Sequence, residues 1–109
     1  MAKTTPLRKA ARDQCCTVGI FPACIGWVDT ETTVLAHLRS LENGMGLKAG
    51  QDWWGAHACA VCHDIIDGRR PAPDGVDEIE LLRCQMRGLE KTLASLIGRD
   101  LIKVKGINL

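Results

Sequence analysis

Ala58-Cys59-Ala60-Val61-Cys62-His63-Asp64-Ile65-Ile66-Asp67-Gly68-Arg69-Arg70 is the stretch whose reading decides the fold. Two cysteines three positions apart aim both thiolates at one ion, and the backbone amides of the knuckle between them point at the sulfurs. That is half of a tetrahedral zinc site. His63 and Asp64 follow at once, and Asp67 stands one helical turn beyond His63. Residues three or four apart are neighbours on a helix surface. A helix starting at His63 therefore sets imidazole and carboxylate groups beside the knuckle.

The missing half of the site lies upstream. Cys15-Cys16-Thr17-Val18-Gly19-Ile20-Phe21-Pro22-Ala23-Cys24-Ile25-Gly26 alternates β-type residues with Gly and Pro. It reads as a short strand or a loop closing on itself, with cysteines at both ends. Either Cys16 with Cys24 or Cys15 with Cys24 completes a four-thiolate set. Successive side chains of an extended chain point opposite ways, so one of the adjacent pair is spare.

Composition bounds the reading. The 109 residues suit a single domain spanning 1–109, small enough that its core would gain from a metal or a partner. With 14 Lys and Arg against 13 Asp and Glu, the net charge of +1 lacks the basic footprint of an obligate nucleic-acid binder. The distribution of charge matters more than its sum. No apolar run approaches the roughly 20 residues that span a bilayer, so no membrane partner is expected. The basic start, residues 1–12, lacks the apolar core of a secretory signal. The expected compartment is cytoplasmic, where six cysteines bind metal rather than pair as disulfides.

Residues 1–6 read as a frayed end. Leu7 to Asp13 has helix-forming residues but is too short to stand alone; its three basic residues either touch a phosphate backbone or are simply solvated. Thr30 to Arg39 carries the clearest strand signal, rich in β-branched residues. Period two groups Thr33, Leu35, His37 and Arg39 on one face, and Val34, Ala36 and Leu38 on the other. On that pattern alone His37 reads as a packed or exposed histidine. Ser40 to Gln51 is a glycine-rich loop. Asp52 to Ala58 reads as a second short strand, with Trp53 and Trp54 covering a small core and His57 structural or exposed.

Downstream, Asp67 to Pro73 ends the helix in a rigid turn. Residues 75–98 carry a strong helix signal, with Asp77, Glu78 and Glu80 suited to its N-terminus. Ile79, Leu82, Met86, Leu89, Leu93 and Leu96 make one apolar face, either packing material or the seam of a homodimer. Cys84 lies off that stripe as a bystander. Leu101 to Lys105 reads as a final short strand.

The order strand, glycine-rich loop, strand, then a CxxCH knuckle opening a helix resembles the HNH, or ββα-metal, nuclease fold. The closer similarity is to the small prophage-encoded nucleases typified by YbcO. It covers most of the chain and is carried by Leu7-Arg8-Lys9-Ala10-Ala11-Arg12, Cys16 with Cys24, Glu31-Thr32-Thr33-Val34-Leu35-Ala36-His37, and Ala58-Cys59-Ala60-Val61-Cys62-His63-Asp64. The resemblance implies an α+β fold: a small zinc-stabilised ββα-metal domain with an added long C-terminal helix. It implies that Cys16, Cys24, Cys59 and Cys62 hold a structural Zn2+. His37 falls at the position of the general base that activates water, and His63 at that of a ligand to a catalytic divalent ion, Mg2+ or another. The position before the base, where many such enzymes carry a further ligand, is Ala36. Asp64, Asp67 or Asp52 is left to complete that set. The implied activity is metal-dependent endonucleolytic hydrolysis of DNA phosphodiester bonds in phage or prophage DNA processing or recombination. The alternative function is a non-catalytic zinc module that binds nucleic acid or a protein partner.

Overall fold

The computed structural model describes residues 5–38 and 52–106. The loop expected over 40–51, and Arg39, lie outside them. In chain order the elements are α1 (Pro6–Lys9), β1 (Val34–His37), β2 (Gly55–Ala58), α2 (Ala60–Ile66) and α3 (Glu78–Gly98). Together they make a small α+β domain. β1 and β2 pair antiparallel, with Val34 opposite Ala58, Leu35 opposite His57, Ala36 opposite Ala56 and His37 opposite Gly55.

The chain enters α1 at Thr5, whose side-chain oxygen accepts from the Arg8 amide at 3.2 Å, and Pro6 takes the first helical turn. An N-cap hydroxyl followed by proline is a strong helix start, because proline has no N–H to leave unpaired there. Thr5 and Pro6 thus belong to the fold rather than to a frayed end.

Both strands are shorter than their sequence signals. Before β1 the polar groups turn the chain: the Glu31 amide donates to Asp29 Oδ1 at 2.9 Å, and the Thr33 amide to the Thr30 carbonyl at 3.3 Å. Thr32 Oγ1 meanwhile accepts from the Ala60 amide at 3.1 Å, at the first residue of α2. Asp29 and the Thr30 backbone thus form a turn, and the Thr32 hydroxyl is spent on a helix start rather than on a longer strand.

The core gathers small residues of the hairpin (Ala36, Ala56, Ala58) with Val61 and Ile65 of α2, Cys84 and Leu89 of α3, and Val18 and Ile20 of the first cysteine loop. α3 approaches β2 very closely at Gly88. A Cβ there would stand 2.9 Å from Val18 Cγ2 and 3.0 Å from Ala56 Cβ. Beside it, Thr17 Oγ1 donates toward the His57 carbonyl at 2.9 Å and lies 3.1 Å from Thr92 Oγ1, while the His57 amide donates to Thr92 Oγ1 at 2.9 Å. Thr92 is fully buried, yet its hydroxyl is bonded, which removes the cost of burying it.

The buried face of α3 is Cys84, Gly88, Leu89, Thr92 and Leu96. This corrects the apolar stripe drawn from the sequence: Ile79, Leu82 and Met86 are 63%, 59% and 61% exposed, while Leu89 and Leu96 are buried. It also corrects Cys84, which is a core residue and no bystander. The reason is the close approach to β2, which admits a glycine and a threonine on the axis of contact and turns the first three stripe residues outward. The final strand is absent among the described residues. Asp100 takes a left-handed φ of 62°, and the Leu101 and Ile102 amides turn back to the Leu96 carbonyl at 2.9 and 3.3 Å. Their hydrogen bonds close off the helix end instead of joining the sheet. No helix of the described residues is long and apolar enough to cross a membrane.

Candidate metal centre and active site

α2 begins at Ala60, with Cys59 as its N-cap and the Cys59 sulfur accepting from the Cys62 amide at 3.5 Å. His63 is therefore the fourth helical residue and not the first, and its amide already bonds back to the Cys59 carbonyl at 2.9 Å. The knuckle and the helix start are one structure: the same amides that open the helix face the sulfurs.

The first cysteine loop closes on this knuckle. The Cys24 amide bonds to the Ile20 carbonyl at 2.8 Å, the Ile20 amide points at Cys62 Sγ at 3.4 Å, and the Gly26 amide at Cys24 Sγ at 3.4 Å. Gly26 lies so close to Cys16 that a Cβ there would fall 2.1 Å from Cys16 Cβ. No side chain fits at that position without moving the cysteine.

The outcome is a convergence of Cys16, Cys24, Cys59 and Cys62, whose sulfurs all lie within 4.8 Å of one another. Zinc–sulfur bonds of about 2.3 Å in a tetrahedron put the sulfurs about 3.8 Å apart, and Cys24 Sγ stands 3.9 Å from Cys59 Sγ. Donor type, number and spacing fit a metal ion such as zinc. Cys15 is exposed and lies outside this group, so Cys16 is the member of the adjacent pair that converges with Cys24.

The thiols interact strongly with one another. The hydrogen bond from Cys62 lowers Cys16 to about 4 against the cost of burial. That same bond, together with burial, pushes Cys62 up, and burial pushes Cys24 up to about 11. A dication removes the conflict by stabilising all four.

His37 sits at the end of β1, paired with Gly55. Its Nε2 lies 2.6 Å from Asp52 Oδ1, and Asp52 is almost wholly buried. Arg8 Nε donates to the same oxygen at 3.2 Å, and Thr5 Oγ1 donates to the other, Oδ2, at 2.5 Å. Burial pushes the Asp52 carboxyl up, but the hydrogen bonds from Thr5 and His37 and the Arg8 charge outweigh it and hold it below its ordinary value. Asp52 is an anion behind an imidazole. The sequence offered Asp52 only as a metal ligand; the clamp from α1 had no signal beyond an acid lying next to Trp53 and Trp54.

On α2, His63 Nε2 lies 3.1 Å from Asp67 Oδ2. Arg69, just past the helix end, bonds both acids: its Nε and Nη2 reach Asp64 Oδ1 at 3.0 Å, and its Nη1 reaches Asp67 Oδ2 at 2.8 Å. These groups are partly exposed, so the ion pairs contribute little to stability. Their interest is geometric: Arg69 ties Asp64 to Asp67, and Asp67 Oδ2 is shared between His63 Nε2 and Arg69 Nη1. Among the described residues, no second group of three or more such side chains converges as the four cysteines do.

Comparison with known proteins places this arrangement. The family model described as "Putative nuclease YbcO" matches residues 5–100. The chain is similar to "Putative nuclease YbcO" of Escherichia coli (strain K12), with 38% identity over 98 residues, covering 89% of this chain and 96% of the relative. It is equally similar to "Putative nuclease ybcO" of Enterobacteria phage 82, with the same identity and coverage. A solved structure described as a putative bacteriophage protein from Escherichia coli str. K-12 substr. MG1655 superposes with a TM-score of 0.66 at 34% identity, over 87% of this chain and 100% of that one. The matched span holds all four converging cysteines, the His37–Asp52 pair and α2, and the chain belongs to the YbcO family.

Proposed function

We propose that this chain is a metal-dependent endonuclease of the HNH, ββα-metal type that hydrolyses phosphodiester bonds of DNA, in phage or prophage DNA processing or recombination. The observation that carries the proposal is the His37–Asp52 pair, 2.6 Å apart, at the end of the strand that precedes the knuckle helix. An imidazole backed by a buried carboxylate is the arrangement that takes a proton from a nucleophile, because the anion orients the ring and stabilises its charge after transfer. The names of the relatives, nucleases from a bacterium and a phage, support the same chemistry.

His37 is the general base, taking the proton of the attacking water. His63 and Asp67 hold the catalytic divalent cation, Mg2+ or another, with Asp64 beside them. When bound, that cation supplies neutralisation of the charge on the phosphate and the leaving oxygen. Cys16, Cys24, Cys59 and Cys62 hold a structural Zn2+ in a closed site, and their role is to fix the knuckle from which α2 and its ligands project. DNA is the partner, and the cytoplasm is the compartment.

One observation favours the second reading, a zinc module that binds nucleic acid or protein without cutting. Ala36, at the position before the base, is completely buried and carries no ligand atom. A plasmid-nicking assay decides between the two. The enzyme reading expects supercoiled DNA to relax with Mg2+ or Mn2+ and to stay intact with chelator. Retarded migration without strand breaks at any metal concentration would favour the binder.

A further inference from the structure

Four parts hold Asp52 from three directions: Thr5 on Oδ2, Arg8 and His37 on Oδ1, and burial around the whole carboxylate. Such a set is more than a surface ion pair. The carboxylate is ionised, almost inaccessible, and held at the end of β1 by the start of α1. With Thr5 on Oδ2 and Arg8 on Oδ1, the carboxylate is held in place for its contact with Nε2 of His37.

The geometry points to Asp52 as the positioning residue of the base, with the α1 start (Thr5 and Arg8) as its clamp, and to Nδ1 of His37 as the nitrogen that receives the proton of water. The inference rests on the reading of His37 as the base and deepens it. An ionised carboxylate is an acceptor only, so the neutral ring facing it carries its hydrogen on Nε2. That leaves the lone pair on Nδ1, the nitrogen not used in holding the side chain. The ring is about one quarter exposed while the carboxylate behind it is 4% exposed. The ring thus keeps exposed surface for a water and a phosphate, while its Nε2 faces the buried carboxylate. When Nδ1 takes the proton from water, the imidazolium that forms lies directly against the Asp52 anion, which stabilises its positive charge.

The same logic gives the N-terminal segment a role in activity. Thr5 and Arg8 touch no substrate in this account; they act through Asp52, and Asp52 acts through His37. A misplacement of a reacting group by about 1 Å costs on the order of 100-fold in rate, so loss of the carboxylate should appear in kcat with little change in KM.

The test combines nitrogen-15 NMR of the histidines with steady-state nicking kinetics on wild type, Asp52→Asn, Thr5→Val and His37→Ala. In wild type, the His37 ring should show a protonated Nε2 with a slowly exchanging, downfield proton and an unprotonated Nδ1. His37→Ala assigns the signal by removing it. Asp52→Asn should lose the downfield proton and about 100-fold in kcat. Thr5→Val keeps the carboxylate and removes one arm of its clamp together with the N-cap of α1; it should broaden the proton signal and lower kcat by a smaller factor. Thr5→Val also serves as the milder variant should Asp52→Asn fold poorly. An Nδ1-protonated ring in wild type would overturn the inference, as would an unchanged Nε2 proton in Asp52→Asn. If His37→Ala is inactive but Asp52→Asn and Thr5→Val both keep wild-type kcat, the positioning role falls and the base survives. If His37→Ala cuts normally, both fall together.

Discussion

Replacing Gly88 by alanine tests how α3 is seated. The added methyl would sit 2.9 Å from Val18 Cγ2, 3.0 Å from Ala56 Cβ and 3.3 Å from Thr17 Oγ1. None of these is the free end of a long side chain. Val18 and Ala56 are fully buried, and the Thr17 hydroxyl is committed to the His57 carbonyl. Forcing a methyl into a packed core costs about 1–3 kcal/mol, while alanine in place of glycine in a helix returns up to about 1 kcal/mol. The net expectation is a loss of about 1–2 kcal/mol, or a fall in Tm on the order of 5–10 °C for a domain of this size. Gly98 supplies the control on the same helix, since a Cβ there meets nothing within 4 Å. Gly98→Ala should be neutral or mildly stabilising. Thermal and urea unfolding of both variants are the assays. A Gly88→Ala protein that melts at or above wild type would refute the close seating of α3 on β2.

Three further expectations follow from particular contacts. Gly26→Ala should lower zinc content and melting temperature together, because its methyl competes with Cys16 Cβ for the same space; full zinc occupancy in elemental analysis would contradict this. Cys84→Ser should cost about 1–3 kcal/mol by placing a hydroxyl in the core, whereas Cys15→Ser, at an exposed site, should leave urea unfolding unchanged; equal stability of the two variants would oppose the placement of Cys84. Asp52 has a lowered carboxyl value in the fold, so its stabilisation is present above the ordinary carboxylate range and is lost as pH falls through the lowered value. The stability gap between wild type and Asp52→Asn should therefore be constant above about pH 5 and shrink in acid; a gap that persists undiminished to about pH 2 would show that Asp52 gains nothing from its charge.

How much of this was legible in the sequence depends on how local each constraint is. The cysteine cluster was legible because the Cys59–Cys62 spacing is itself half of a site, and a loop with cysteines at both ends supplies the rest. The first strand was legible from its β-branched run, the second from its place before the knuckle, and both later helices from the Asp67 to Pro73 turn and the N-terminal acids of α3. The face of α3 was not. Its leucines follow a regular seam, yet only the C-terminal half of that seam is buried, because the helix contacts β2 through Gly88 and Thr92, residues that no hydropathy pattern selects. The final strand failed for a related reason: Leu101 to Lys105 has strand-forming residues, but the backbone turns at Asp100 and spends its amides on the end of α3. Asp52 was visible as an acid and not as the partner of His37, since the two are 15 residues apart and meet only through the fold.

The central claim is that His37 does chemistry while the four cysteines do structure. The most direct measurement is plasmid nicking by purified His37→Ala with Mg2+ or Mn2+, with zinc content and Tm determined on the same preparation. The account predicts one zinc per chain, near-normal melting and no strand breaks above background. A His37→Ala protein that nicks at the wild-type rate with its zinc in place would contradict it.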